Sequence, residues 1–235
     1  MLKLSQLGGG HLVLRRAAAR ALGRVSEASA TELLSLVIQL SRERWEPAVK
    51  VLPAFLRALE EDADAIPHLD TLRQVAALHD EPRVEQLFGQ GQPVREYDFD
   101  AAARADARLF SLPLGVMKSK ARLTRNPDEL ERLAVVSNPD VVREVLKNSR
   151  LTEALVVRIA ARRPARPEPL VEIWRSTRWS LRPAIRRALA FNPYLPPEVG
   201  VKLVPLLATA DLEALAVDQS VHPSLREQAR ALLQP

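Results

Sequence analysis

Pro183-Ala-Ile-Arg-Arg-Ala-Leu-Ala-Phe-Asn192-Pro-Tyr-Leu-Pro-Pro-Glu-Val-Gly-Val-Lys-Leu203 is a second version of a stretch that the chain carries earlier, at residues 139–159. Laid in register, Pro139 meets Pro183, Val141 meets Ile185, Arg143 meets Arg187, Asn148 meets Asn192, Leu151 meets Leu195, Val157 meets Val201, Arg158 meets Lys202 and Ile159 meets Leu203, always 44 positions apart. A shorter echo opens at Pro223, where Leu225, Arg226 and Glu227 follow as Val141, Val142 and Arg143 follow Pro139. A Leu- and Ala-rich recurrence of about 40–45 residues is the mark of stacked helical modules. The expected fold is therefore all-α, a right-handed α-solenoid with a period of about 40–44 residues.

The composition agrees. With 235 residues, 47% of them hydrophobic, the chain is long enough to bury a sizeable core. Ala, Leu and Arg dominate while aromatics reach only 4%, which favours helices because these side chains lose little freedom there. The absence of cysteine removes disulfides, thiolate metal sites and a cysteine nucleophile, and it fits a cytoplasmic setting. Apolar runs such as the one around residues 36–38 fall far short of the roughly 20 residues of a membrane span. The first 25 residues are Arg-rich and free of acid, as in a transit peptide, but Gly8, Gly9 and Gly10 interrupt any signal-type apolar region.

Along the chain, a first helix is expected over residues 12–24, with Leu14, Ala17, Ala18, Ala21, Leu22 and Val25 as its apolar stripe. A second starts near Ser29 or Thr31, with Thr31 placed to accept from the first-turn amides, and its partner starts at Pro47. Pro53 predicts a kink or a boundary inside that partner, and the acidic run at residues 60–64 reads as a solvated turn. The grammar of leucines, a short break and a helix-opening proline recurs around Pro82, Pro139 and Pro223. Gly89-Gln-Gly-Gln-Pro93 is the best linker. The chain thus divides into mildly acidic N-terminal repeats at 1–90, a linker and irregular junction at 91–125, and basic C-terminal repeats at 126–235. Net charge follows the same division, −3 over residues 1–100 and +8 over 101–235.

This grammar resembles that of HEAT and armadillo α-solenoids. Leu212-x-x-Leu215-Ala216-x-Asp218, with Leu225-Arg226 and the turn Ala190-Phe191-Asn192-Pro193, is also similar to the leucine-rich repeat variant. The likeness covers about 110 residues well; the period is longer than that family's and its cysteine cluster is missing. These families are mostly binding scaffolds without shared catalytic residues, so the resemblance implies a fold and a scaffold role and transfers no site.

The sharpest chemical feature is the basic segment 158–187: Arg158, Arg162, Arg163, Arg166, Arg175, Arg178, Arg182, Arg186 and Arg187 against only Glu168 and Glu172, with Trp174 and Trp179 interleaved. Arginine with tryptophan suits acidic protein surfaces, phosphates and stacked bases. Lys202 repeats Arg158 one module later and would extend a basic stripe. Trp174 sits at an apolar repeat position and reads as core, while Trp179 sits in a turn and reads as exposed. Set against this, a GC-rich bacterial genome inflates arginine, and solenoids use arginines to bond neighbouring turns. His68, His79 and Asp80 superficially match a metal doublet, but His79-Asp80 occupies the inter-helix turn also held by Asn138 and His222, so no metal or other cofactor is expected. No nucleophile triad or phosphate-binding glycine loop is present. The leading expectation is a non-enzymatic scaffold for an acidic protein partner. Its rival is a nucleic-acid-binding HEAT-like protein, with Glu172 near Trp179 the nominal pair for a DNA glycosylase-like activity. A HEAT-like lyase has no residues to nominate.

Overall fold

The computed structural model describes residues 2–5, 10–96, 112–135 and 138–234, and all regular structure there is helical, with no strand among the described residues. The all-α expectation therefore holds. In order, the helices are α1 (Leu2–Ser5), α2 (His11–Gly23), α3 (Glu27–Arg42), α4 (Glu46–Glu61), α5 (Leu69–Leu78), α6 (Pro82–Glu85), α7 (Leu114–Leu123), α8 (Pro127–Ala134), α9 (Pro139–Lys147), α10 (Glu153–Ala161), α11 (Pro167–Arg175), α12 (Pro183–Ala190), α13 (Pro197–Leu203), α14 (Thr209–Val217) and α15 (Pro223–Leu233). Residues 97–111, the core of the expected junction, and Gly8 and Gly9 lie outside the described residues. The chain groups into two compact units, one of Met1–Gln90, Val201–Val217 and Ser224–Pro235, the other of Gly91–Gly200 and Asp218–Pro223.

In the first unit α4 packs against α2 and α3, and α3 packs against α5 and α6. The core of this cluster is Leu22, Leu34, Ile38, Leu52, Phe55, Leu56 and Leu72, all fully buried. Gly23 is required where α2 ends, because a Cβ there would sit 2.3 Å from the carbonyl oxygen of Ala65. Two expectations are corrected. The cap of α3 is Ser26, whose side chain accepts from the Ser29 amide at 3.3 Å, while Thr31 is buried one turn further in. The helix starts earlier because Ser26-Glu27 supplies both an N-cap oxygen and a first-turn carboxylate. Pro53 makes no boundary: α4 runs through it from Glu46 to Glu61, anchored by the buried Val51, Leu52, Phe55 and Leu56 around it. The acidic run is also less solvated than expected. Arg15 pairs with Glu61 and, at 2.6 Å, with Asp62, and Arg57 reaches Glu61 at 2.5 Å, so these carboxylates tie α2 to the end of α4.

In the second unit α9 packs against α7 on one side and α11 on the other, while α10 packs against α8 and α12. Successive helices thus alternate, each meeting the helix two places away. Proline opens α8, α9, α11 and α12 at the first turn, where its missing amide needs no partner. In α8 and α9 the preceding asparagine completes the cap: Asn126 accepts from the Asp128 amide at 2.9 Å and Asn138 from the Asp140 amide at 3.0 Å.

The connections repeat more strictly than the helices. After α9, α11, α12 and α14 the same turn forms, with the fourth residue's amide donating to the first residue's carbonyl: Leu151 to Asn148, Trp179 to Ser176, Leu195 to Asn192 and Val221 to Asp218. That fourth side chain is buried every time. The side-chain oxygens of Asn148, Asn192 and Asp218 also accept from the amide two residues on. The 44-residue recurrence is a recurrence of this turn together with the proline-opened helix before it.

Surface carboxylates of this unit set a pH dependence. Glu129 is held below the usual carboxylate range by hydrogen bonds from Thr124 and then Lys120, Asp140 by Lys118, and Glu144 by Lys147. Because the folded values lie below the unfolded ones, this stabilisation is complete above the ordinary carboxylate range and is lost as pH falls through the folded values. The urea midpoint is therefore expected to drop between pH 7 and pH 3, and Glu129→Gln to narrow that drop. An equal drop in the variant would remove Glu129 from this account.

Candidate functional site

The arginines of the basic segment are spread over α10 to α12 and the turns between them, and most of them bond backbone or acidic groups of other helices and turns in the same unit. Arg158, on α10, is exposed and pairs with Glu131 of α8 at 3.1 Å. Arg182, just before α12, reaches Glu153 at the start of α10 at 3.7 Å. Arg163 donates to the carbonyl of Phe191, and the Arg187 guanidinium lies 5.3 Å above the Phe191 ring, so these two converge at the end of α12. Arg178 donates to the Asn148 carbonyl at 3.4 Å and lies 4.3 Å above the Trp179 ring. Arg175 and Arg143 flank one carboxylate, that of Glu172, at 3.6 and 3.1 Å. Arg162 is exposed and shares a small cleft with Arg166, lined also by Ile159 and Leu170.

Four of the expected contact residues sit differently from their sequence reading. Trp179 is only 3% exposed, and its indole Nε1 donates to the Leu146 carbonyl at 2.8 Å. The turn that carries it faces inward because Trp179 occupies the buried fourth position described above. Arg166 is buried at the entry to α11. Arg186 is partly buried, donates to the Ser180 carbonyl at 2.7 Å, and is pushed down to about 10 by burial, so it remains charged at neutral pH. Lys202 is buried, so it presents no exposed charge that could continue a stripe. Trp174 is core, as its repeat position predicted.

The exposed arginines of the segment are thus Arg158, Arg162, Arg163, Arg175, Arg178, Arg182 and Arg187. Glu172, nominated beside Trp179, is 5% exposed and committed to two arginines, and Trp179 presents no free ring for a base. Among the described residues no group of three or more His, Asp or Glu side chains converges as metal ligands would.

A feature that the sequence reading missed is the end-capping. The Asn148 Nδ2 donates to the carbonyls of Ala121, Arg122 and Thr124 at 2.8, 3.2 and 3.1 Å, closing α7. Asn192 does the same for α10 through Ala160 and Arg162 at 2.7 and 3.1 Å. Trp179, in the turn after α11, supplies its indole donor to the end of α9. Each orphan helix end is thus satisfied by the loop two helices later. The matched Asn148 and Asn192 in the 44-residue register were the available signal.

Compared with known proteins, the chain matches no family model, and neither the curated proteins nor the solved structures give a match to it. What fold and site define is a protein that is helical throughout its described regular structure, with exposed arginines of which Arg163 and Arg178 bond backbone carbonyls and Arg158, Arg175 and Arg182 pair with glutamates.

Proposed function

We propose that this chain is a non-enzymatic interaction scaffold, a right-handed α-solenoid of the HEAT and armadillo kind with leucine-rich repeat variant-like turns, which binds an acidic protein partner through the second unit. The alternation of helix packing and the recurring turn support the solenoid reading. The observation that carries the function is the anchoring of exposed guanidiniums. Arg163 and Arg178 are exposed, yet each is bonded to a backbone carbonyl, and Arg178 is additionally stacked on a buried indole. Arginines fixed in this way lose less entropy on meeting a carboxylate than free surface side chains would.

The test is a fluorescence-polarisation titration of a labelled Glu/Asp-rich peptide against the wild type and an Arg162→Glu, Arg163→Glu, Arg178→Glu variant. Binding is expected to weaken by about tenfold or more, since charge-assisted contacts are replaced by repulsion. Equal affinity would overturn the proposal. Generic duplex and single-stranded DNA at two salt concentrations form the second arm; tighter, steeply salt-dependent DNA binding would move the reading to nucleic acid.

A further inference from the structure

Outside the basic segment, two arginines of the first unit share one cleft, which Glu43 also lines. The cleft is about 240 Å³ in volume and lined by Gln39, Arg42, Glu43, Arg83, Leu232 and Gln234. Arg42 closes α3 and Arg83 lies in α6. Each guanidinium is held from outside the cleft's centre: Arg42 Nη2 donates to the Thr209 hydroxyl at 3.2 Å, and Arg83 donates through Nε to Ala231 at 3.2 Å and through Nη2 to Gln234 at 2.6 Å, both carbonyls. The Gln228 amide fixes the Arg83 backbone in turn, at 3.0 Å from its carbonyl. Neither arginine makes an ion pair among the described residues; the Glu43 carboxylate instead accepts from Gln39 at 3.0 Å.

Two like charges directed into one small cleft repel each other unless an anion lies between them. Burial, and then the charge of Arg83, lower the pKa of Arg42, which is the expected consequence of two like charges sharing one cleft. Among the described residues Arg42 spends only Nη2, and its Nε–H and Nη1 form a fork that fits two oxygens of a tetrahedral anion. The cleft holds a phosphoryl group and a short organic remainder but not a folded partner. We infer that the cleft formed by Arg42 and Arg83 is a binding site for a small phosphoryl-bearing anion. This site is independent of the arginine surface of the second unit.

Because phosphate also stabilises folded proteins by exclusion from their surface, the readout must be local. Inorganic phosphate is titrated into the ¹⁵N-labelled full chain against sodium chloride of matched ionic strength, and the arginine Nε–H resonances are followed. The Arg42 and Arg83 signals are expected to shift saturably with phosphate and not with chloride, and succinate to bind more weakly than phosphate. Arg42→Gln, which removes only the link to Thr209 from the fold, is expected to weaken phosphate binding by about tenfold, whereas Arg150→Gln, an exposed arginine of the other unit, leaves it unchanged. Absence of a saturable shift, equal shifts in chloride, or undiminished binding by Arg42→Gln would each overturn the assignment. Tighter binding of succinate would replace the phosphoryl class by a dicarboxylate.

Discussion

Trp179→Ala is expected to lower the stability of the second unit by about 4 kcal/mol, in the range found when large aromatic side chains are deleted from cores. Three losses combine. The ring is 3% exposed, so its removal leaves a cavity; the donor to the Leu146 carbonyl disappears from the end of α9; and the Arg178 guanidinium loses the surface it stacks on. Trp179→Phe separates these, because it retains most of the ring volume and gives up the indole N–H; a cost of about 1–3 kcal/mol is expected for a buried carbonyl left without its donor. Equilibrium urea unfolding, followed by circular dichroism, measures both. A Trp179→Ala cost below about 1 kcal/mol would place the indole at the surface, where the sequence alone had put it. The same substitution should also weaken acidic-peptide binding, because Arg178 then keeps only its bond to the Asn148 carbonyl.

Asn192→Ala is the second large effect, at about 3 kcal/mol, since it strips donors from two helix-end carbonyls and an acceptor from the Tyr194 amide in a site that is 2% exposed. The informative companion is Asn192→Asp. A carboxylate still accepts from the Tyr194 amide but turns a negative oxygen toward the carbonyls of Ala160 and Arg162. At neutral pH it should therefore be at least as damaging as alanine, and it should recover partly when acid restores a hydroxyl donor. The folded-state pKa of the introduced carboxyl would lie above its unfolded value, so its destabilisation is present at high pH and relieved as pH falls through that folded value. Asn148→Ala and Asn148→Asp should behave alike, because the 44-residue register places the same amide under the end of α7. If the aspartate variants were neutral at pH 7, the amide donors would not be what closes these helices.

The parts of this fold that could be read in advance are those set by backbone chemistry within a few residues. A proline placed ahead of Val141 or Ile185 starts a helix because its ring fixes φ and it has no amide to waste; an asparagine before it accepts from the freed amide. Leucine spacing gave the buried faces of α8 to α12, and Trp174 fell among them. Other local features were misread where two signals competed. The start of α3 was expected near Ser29 or Thr31, but the helix begins a turn earlier, where the Ser26 side chain accepts from the Ser29 amide. Pro53 argued for a break in α4, but the buried neighbours on both sides keep the helix continuous across it.

The arginines mark the other limit. Their number and sign were plain in the sequence, but whether a guanidinium faces solvent, caps a carbonyl or meets a glutamate depends on the helix two places along, which no local pattern encodes. Arg166 and Lys202 went inside, Arg158 and Arg182 met acidic partners on α8 and α10, and Arg163 and Arg178 closed on backbone carbonyls while staying exposed. Trp179 was read as exposed because it lies in a turn, and it is buried because that turn's fourth residue always is. The cleft of Arg42 and Arg83 brings together residues far apart in the chain. The 44-residue recurrence and the proline-opened helix starts were fixed by the residues themselves, because proline, asparagine and leucine act on their own stretch of backbone. Which charges remain available was decided by tertiary packing, because a long side chain takes its partner from whatever element the fold places within its reach.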